Sequence, residues 1–235
     1  MTTSKTSRTV LLTGANRGIG LALTLELLGR GDQVIAACRN PDQATALAAL
    51  AGRGLRRVTL DVSSVESVAR LADQLGGEAL DVVISNAGIA EDLGGLRAFD
   101  AAVWRRTYEV NVFGAVAVAS AFLPNLLSGR EKKLINISSA AGSLTNARED
   151  NPAYRSSKAA LNMAMRCAAI ELKAEGIAVA ILSPGIVATD MTSQRHDAKM
   201  ITPEESARGL ADRIEETTLE NSGSFRRYNG DQIPW

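Results

Sequence analysis

The chain has 235 residues, 46% of them apolar and only 4% aromatic, with 26 basic residues balanced by 26 acidic ones. That balance supplies no field to gather nucleic acid or an anionic membrane, so small molecules and further copies of the chain are the expected partners. Cys38 and Cys167 lie far apart, outside any CxxC or Cys/His cluster, and the opening residues 1–8 are polar; these features argue against a disulfide framework, a metal site, a signal peptide or a spanning helix, and fit a cytoplasmic protein.

In chain order, a polar stretch over 1–7, expected as a flexible tail, precedes a short aliphatic run at 9–12, a glycine-rich stretch, and apolar residues at three- and four-residue spacing over 19–28. The same unit then repeats. Aliphatic runs at 33–37, 57–60, 81–85, 133–137 and 178–182 alternate with helical patterns over 43–50, 65–75, 99–127, 153–174 and 203–216, and a seventh short strand is expected at 224–227. Short apolar runs read as strands buried on both faces, and the 3.6-residue period reads as helices that cover them. No linker, repeat or low-complexity tract divides the chain. The expectation is a single α/β domain over 8–235: a doubly wound Rossmann-type fold whose mostly parallel seven-stranded sheet has helices on both faces.

The first strand runs into Thr13-Gly14-Ala15-Asn16-Arg17-Gly18-Ile19-Gly20. Glycines there permit a tight turn and let the backbone approach a pyrophosphate at a helix N-terminus, although a glycine cluster alone also serves an ordinary turn. The spacing resembles the TGxxxGxG loop of the short-chain dehydrogenase/reductase family. Asp61 and Val62, after the third strand, resemble that family's adenine-contacting pair, and Asn86-Ala87-Gly88, after the fourth, resembles its NAG motif beside the cofactor. From the residues alone, Asp61 reads equally as an acid at a helix start and Asn86 and Gly88 as a turn.

Tyr154 and Lys158 stand four apart on a predicted helix and so share one face. A cation near a phenol favours the phenolate and draws its pKa from about 10 toward neutrality. A Tyr/Lys pair at this spacing is more often a solvated helix face, but this one follows a strand that ends Asn136-Ile137-Ser138-Ser139. A hydroxyl at that strand end can polarise a substrate carbonyl. The residues leave Ser138 and Ser139 as rivals, and the resemblance selects Ser139. It also implies that Asn111, otherwise a mildly unfavourable helix residue, holds a water in a proton relay.

The resemblance extends to Ser183-Pro184-Gly185-Ile186-Val187-Ala188-Thr189-Asp190, where Pro184-Gly185 resembles the turn beside the nicotinamide and Thr189 the threonine on its carboxamide. Val187 lies between them. The tail 228–235, the Tyr154-Arg155 pair and the helix start at 203–206 resemble the C-factor or Sniffer-like carbonyl reductase branch. Asn111, Ser139, Tyr154 and Lys158 are the catalytic set this implies, in an enzyme that interconverts a ketone or aldehyde and its alcohol without a metal. A dinucleotide-binding signalling protein of C-factor type, with little turnover, is the alternative.

NADP(H) is the cofactor expected. Where enzymes preferring NAD usually carry an acid at the end of the second strand, this chain has Cys38, followed by Arg39. Arg39 and Arg17 offer planar forks to a 2′-phosphate, or else sit on a solvated rim. The family also implies a homodimer or homotetramer built on 99–127 and 153–174, with Val112, Val116, Met163 and Met165 either at the contact or in the core. Fifteen residues separate Ser139 from Tyr154 against about thirteen in the family, and the polar loop 143–151 is either part of the substrate mouth or a surface insertion. His196, the lone histidine, lies in the short segment 191–201 and reads as a loop residue rather than a base.

Overall fold

The structure is a computed structural model that describes residues 7–50, 52–91, 95–193 and 199–235. The strands pair as one sheet: β1 (Thr9–Thr13), β2 (Gln33–Cys38), β3 (Leu55–Thr59), β4 (Val82–Ser85), β5 (Lys133–Ile137), β6 (Ala178–Ser183) and β7 (Ser224–Arg227); all but β3 and β7, which lie at its two edges, are mainly aliphatic. The sheet order is β3-β2-β1-β4-β5-β6-β7, and every neighbouring pair is parallel. Val10, Leu11, Leu12, Val82, Val83 and Ile84 are fully buried, as strands covered on both faces require.

Helices α1 (Gly18–Gly29), α2 (Thr45–Ala48) and α8 (Pro203–Glu216) belong to one face, while α3 (Val65–Leu75), α5 (Ala115–Ala121), α6 (Leu123–Ser128) and α7 (Pro152–Glu171) belong to the other. The order reverses between β1 and β4, so the loops after those strands diverge and open a crevice at their carboxyl ends. That crevice positions the site.

The expected single helix over 99–127 is interrupted. It comprises α4 (Ala101–Tyr108), a π-helical turn (Glu109–Gly114), α5 and α6. Gly114 lies so close to the sheet-side loop that an added Cβ would stand 2.6 Å from the Val62 carbonyl oxygen, and Pro124 opens α6, where its missing N–H ends the α5 ladder. The segment expected as a helix over 43–50 is one turn, Thr45–Ala48. None of the described helices is long and apolar enough to cross a membrane.

Candidate active site

The glycine loop turns at Gly14 (φ 65°) and Gly18 (φ 52°), both in the left-handed region that favours glycine. Gly20 has no room for a side chain, since its Cβ would fall 2.0 Å from the Gly14 carbonyl oxygen. Side-chain caps begin α3, α4, α7 and α8 at Ser64, Asp100, Asn151 and Thr202. Helix α1 has neither a side-chain cap nor an acidic residue in its first turn. Its leading amides therefore face the crevice as a ready anion site.

Asn86 holds this loop in shape. Its Nδ2 donates to the Thr13 and Gly14 carbonyls at 2.9 and 3.2 Å, while Thr13 Oγ1 accepts from the amides of Asn86 and Ala87 at 3.0 and 3.1 Å. The side chain expected beside a cofactor is thus a brace within the protein. Gly88, at the same strand end, abuts Asn111 and Lys158: its Cβ would lie 3.2 Å from Asn111 Oδ1 and 3.6 Å from Lys158 Nζ. Asp61 closes a turn by accepting from the backbone and hydroxyl of Ser63, and the cap of α3 is Ser64 instead. Val62 packs beside the π-helical turn.

Helix α7 carries Tyr154 and Lys158 down from its Asn151 cap, whose side chain accepts from the Tyr154 amide. Lys158 is buried with 4% exposure, donates to the Ile137 carbonyl at 3.0 Å, and stands 5.9 Å from the centre of the Tyr154 ring. Burial pushes its ammonium down to a pKa of about 8, so it is a cation in a poorly solvated place, where its pull on a nearby phenol is strong.

Asn111 projects from the π-helical turn, a feature that often marks functional sites. Its Nδ2 donates to Ile89 O at 2.9 Å and to Ser157 Oγ at 3.0 Å, and its Oδ1 accepts from Ile89 N at 2.9 Å. Ser157 in turn donates to the Tyr154 carbonyl at 2.7 Å. The amide therefore ties the loop after β4 to α7, and one lone pair of Oδ1 is what remains for a water.

The two serines separate cleanly. Ser138 is buried and its hydroxyl donates to Asn162 Oδ1. Ser139 is half-buried, and its Oγ accepts from Ala141 N at 3.1 Å, which leaves its proton to be given outward. The turn beyond β6 flanks them, with Ser183 Oγ accepting from Ala140 N and Ser206 Oγ donating to Pro184 O. Gly185 (φ 88°) packs under Tyr228 and Ile201, and Val187 bridges to Ile201. Thr189 meets the opposite lip of the crevice, 3.4 Å from where a Gly18 Cβ would be.

Cys38 is buried at the end of β2, and burial pushes its thiol pKa up, so it presents no negative charge. Arg39 follows it, exposed. Arg17 is two-thirds exposed and stands 3.9 Å from Asp190 on the far lip. Sequence reasoning passed over Arg57, whose guanidinium donates to Pro41 O at 2.9 Å and ties down the turn after Arg39. The loop 143–151 is anchored at both ends: Thr145 binds the Trp235 carbonyl through its amide and hydroxyl at 3.1 and 2.7 Å, and Asp150 is paired with Arg155. His196 lies outside the described residues. Among the described residues no cluster of His, Cys, Asp and Glu is suited to a metal.

An anion-binding helix start at the switch point of a parallel sheet, with a Tyr-Lys pair beside it, defines a dinucleotide-binding oxidoreductase. Residues 8–200 match the model of the short chain dehydrogenase family, and the chain belongs to that family. It is 40% identical over 157 residues to the C-signal of Myxococcus xanthus, a match that covers 66% of this chain and 93% of that protein. The NADPH-bound carbonyl reductase from chicken fatty liver has the same fold with a TM-score of 0.90 at 33% identity, covering 97% of this chain and 99% of the other. The carbonyl reductase Sniffer of D. melanogaster also gives 0.90, at 28% identity, over 97% of this chain and 100% of the other. These likenesses put the chain in the carbonyl reductase and Sniffer-like branch.

Proposed function

We propose that this protein is an NADP(H)-dependent reductase that interconverts a ketone or aldehyde with its alcohol. The observation that carries the reading is the buried Lys158, 5.9 Å from the Tyr154 ring and one helical turn along the same face. When bound, a nicotinamide dinucleotide supplies or accepts a hydride. The uncapped start of α1 with Gly14, Asn16, Gly18, Ile19 and Gly20 would hold the pyrophosphate and Asp61 and Val62 the adenine end, while Asn86, Ala87 and Gly88 would line the cofactor side with the Asn86 side chain bracing the glycine loop. Pro184, Gly185, Val187 and Thr189 would hold the nicotinamide end.

In reduction, the carbonyl oxygen lies between Ser139 and Tyr154. Ser139 Oγ donates a hydrogen bond to it, and as the carbonyl carbon takes the hydride that the bound nicotinamide would supply, the π electrons move onto oxygen and Tyr154 gives that oxygen a proton. Lys158 lowers the cost of the resulting phenolate, which solvent then reprotonates. Asn111 fixes the spacing of Ile89, Ser157 and α7. The likeness to C-signal supports a second reading, in which the dinucleotide is bound but turned over little; the complete set of Asn111, Ser139, Tyr154 and Lys158 favours catalysis.

Cofactor choice follows from the end of β2. A neutral thiol at Cys38 repels no phosphate, and Arg39 provides a fork, with Arg17 on a flexible stem nearby. Each charge-assisted contact is worth about 1.5–3 kcal/mol before desolvation. The parent protein is expected to have a higher kcat/KM with NADPH than with NADH, and Cys38→Asp with Arg39→Ala to move the preference toward NADH. A parent preference for NADH would reject the assignment.

A homodimer or homotetramer is the expected assembly. Phe113, Val116, Met163 and Ile170 expose 59%, 38%, 66% and 68% of their surfaces on the outer face of the π-helical turn, α5 and α7, an apolar patch that favours a partner. Met165, expected as a contact candidate, is 2% exposed and belongs to the core. The outer edge of β7 is already paired with the chain's own tail through Ile233 N to Phe225 O and Arg227 N to Asp231 O, which leaves the helical face as the contact. Light scattering at micromolar concentration should give at least twice the monomer mass, and a monomer would reject this.

A further inference from the structure

Asn162 lies one turn beyond Lys158 on α7, 2% exposed, and touches none of the groups assigned to chemistry. A buried amide needs partners for its donors and its acceptor, or it costs about 1–3 kcal/mol. Asn162 finds them on both flanks of Ser139. Its Oδ1 accepts the Ser138 hydroxyl immediately before that residue, and its Nδ2 donates to the Gly142 carbonyl three residues after it, at 3.3 Å. Gly142 permits the approach: a Cβ there would sit 2.7 Å from the Lys158 carbonyl carbon and 2.9 Å from Asn162 Nδ2. The Ser139 turn is thereby fixed to the helix that carries Tyr154 and Lys158 by one side chain that grips it on either side.

We infer that Asn162 is a positioning residue that sets Ser139 against Tyr154, with Ser138 as its coupling. The inference rests on the reading of Ser139 as the hydroxyl that polarises the carbonyl. Two hydrogen-bonding groups must meet one substrate oxygen from two different elements, β5 and α7. Displacement of such a group by about 1 Å can lower the rate about a hundredfold. Lys158 ties α7 to the last residue of β5 through the Ile137 carbonyl, and Asn162 ties it to the turn on either side of Ser139, which explains why two serines follow the strand: one faces the substrate, the other faces Asn162.

The test is a double-mutant cycle between Asn162→Leu and Ser139→Ala, read as kcat and as KM for NADPH with a carbonyl substrate that the parent turns over. Asn162→Leu should lower kcat about 10- to 100-fold and leave KM for NADPH within about twofold. On the Ser139→Ala background the same substitution should change kcat by no more than about twofold, because the group it positions is gone. An equal loss on both backgrounds makes Asn162 a merely structural residue and overturns the inference, as does an unchanged kcat in the single variant. Should the stranded Ser138 hydroxyl prevent folding, Asn162→Leu with Ser138→Ala removes both buried polar groups; it should regain stability while kcat stays low, and a restored kcat overturns the inference. Full activity in Ser139→Ala alone would instead overturn the underlying serine reading.

Discussion

Tyr154→Phe should lower kcat for carbonyl reduction by about 10²–10⁴-fold, the range for loss of a positioned general acid, while NADPH binding stays close to that of the parent. The reason is local. The substitution removes one hydroxyl from a ring that is half-buried near the start of α7, and leaves the Asn151 cap, the Lys158 bond to Ile137 and the glycine loop untouched. A phenyl ring occupies the same space, so neither the helix nor the crevice has cause to move. Without the hydroxyl, Lys158 has no phenol to activate, and proton delivery falls to water. Stopped-flow measurement of NADPH fluorescence gives binding, and absorbance of NADPH gives turnover. Reduction near the parent rate would remove Tyr154 from the mechanism.

Ser139→Ala has the second-largest expected effect, a loss in kcat of about 10²–10³-fold, as for removal of one donor to a developing oxyanion. Ser138→Ala should cost kcat less but stability more. Its hydroxyl is buried on Asn162, so truncation leaves an amide oxygen without its donor, worth about 1–3 kcal/mol. The two variants therefore separate on two axes, rate and melting temperature. A greater rate loss in Ser138→Ala would reverse the assignment of the serines.

Strands and most helices were legible because their periods are clean. The observed β5, α3 and α8 match the apolar runs residue for residue, since each is bounded by polar or breaking residues. The helical stretch over 99–127 was misleading for a physical reason: its apolar spacing continues across Gly114 and Pro124, and the close approach of Gly114 to Val62 that accompanies the π-helical turn is a tertiary contact that no local pattern records. Met163 and Met165 show a related limit. Two residues apart on a helix, they point about 200° apart, and only the i, i+4 series Leu161, Met165, Ala169, all buried, reveals which one meets the sheet.

Within the site, spacing put Tyr154 and Lys158 on one helix face, the strand end before them set the pair apart from a solvated face, and Ser139 was chosen over Ser138 by likeness to a family. The Ser138 hydroxyl, by contrast, is engaged with Asn162, a pairing that favours Ser139 as the hydroxyl offered outward. Asn162 carried a signal that was overlooked: a polar residue four beyond Lys158, on a helix face that is otherwise core. Asn86 was readable as belonging to the crevice but not as a brace, because its partners are backbone carbonyls 72 and 73 residues away.

The most direct test of the central claim is to mix the purified protein with NADPH and a panel of aldehydes and ketones, following absorbance at the nicotinamide band and identifying products. NADPH is expected to be oxidised in step with formation of an alcohol from at least one carbonyl compound, and Tyr154→Phe to abolish this. Tight binding of NADPH with no oxidation across the whole panel would contradict it and would favour the dinucleotide-binding signalling reading instead.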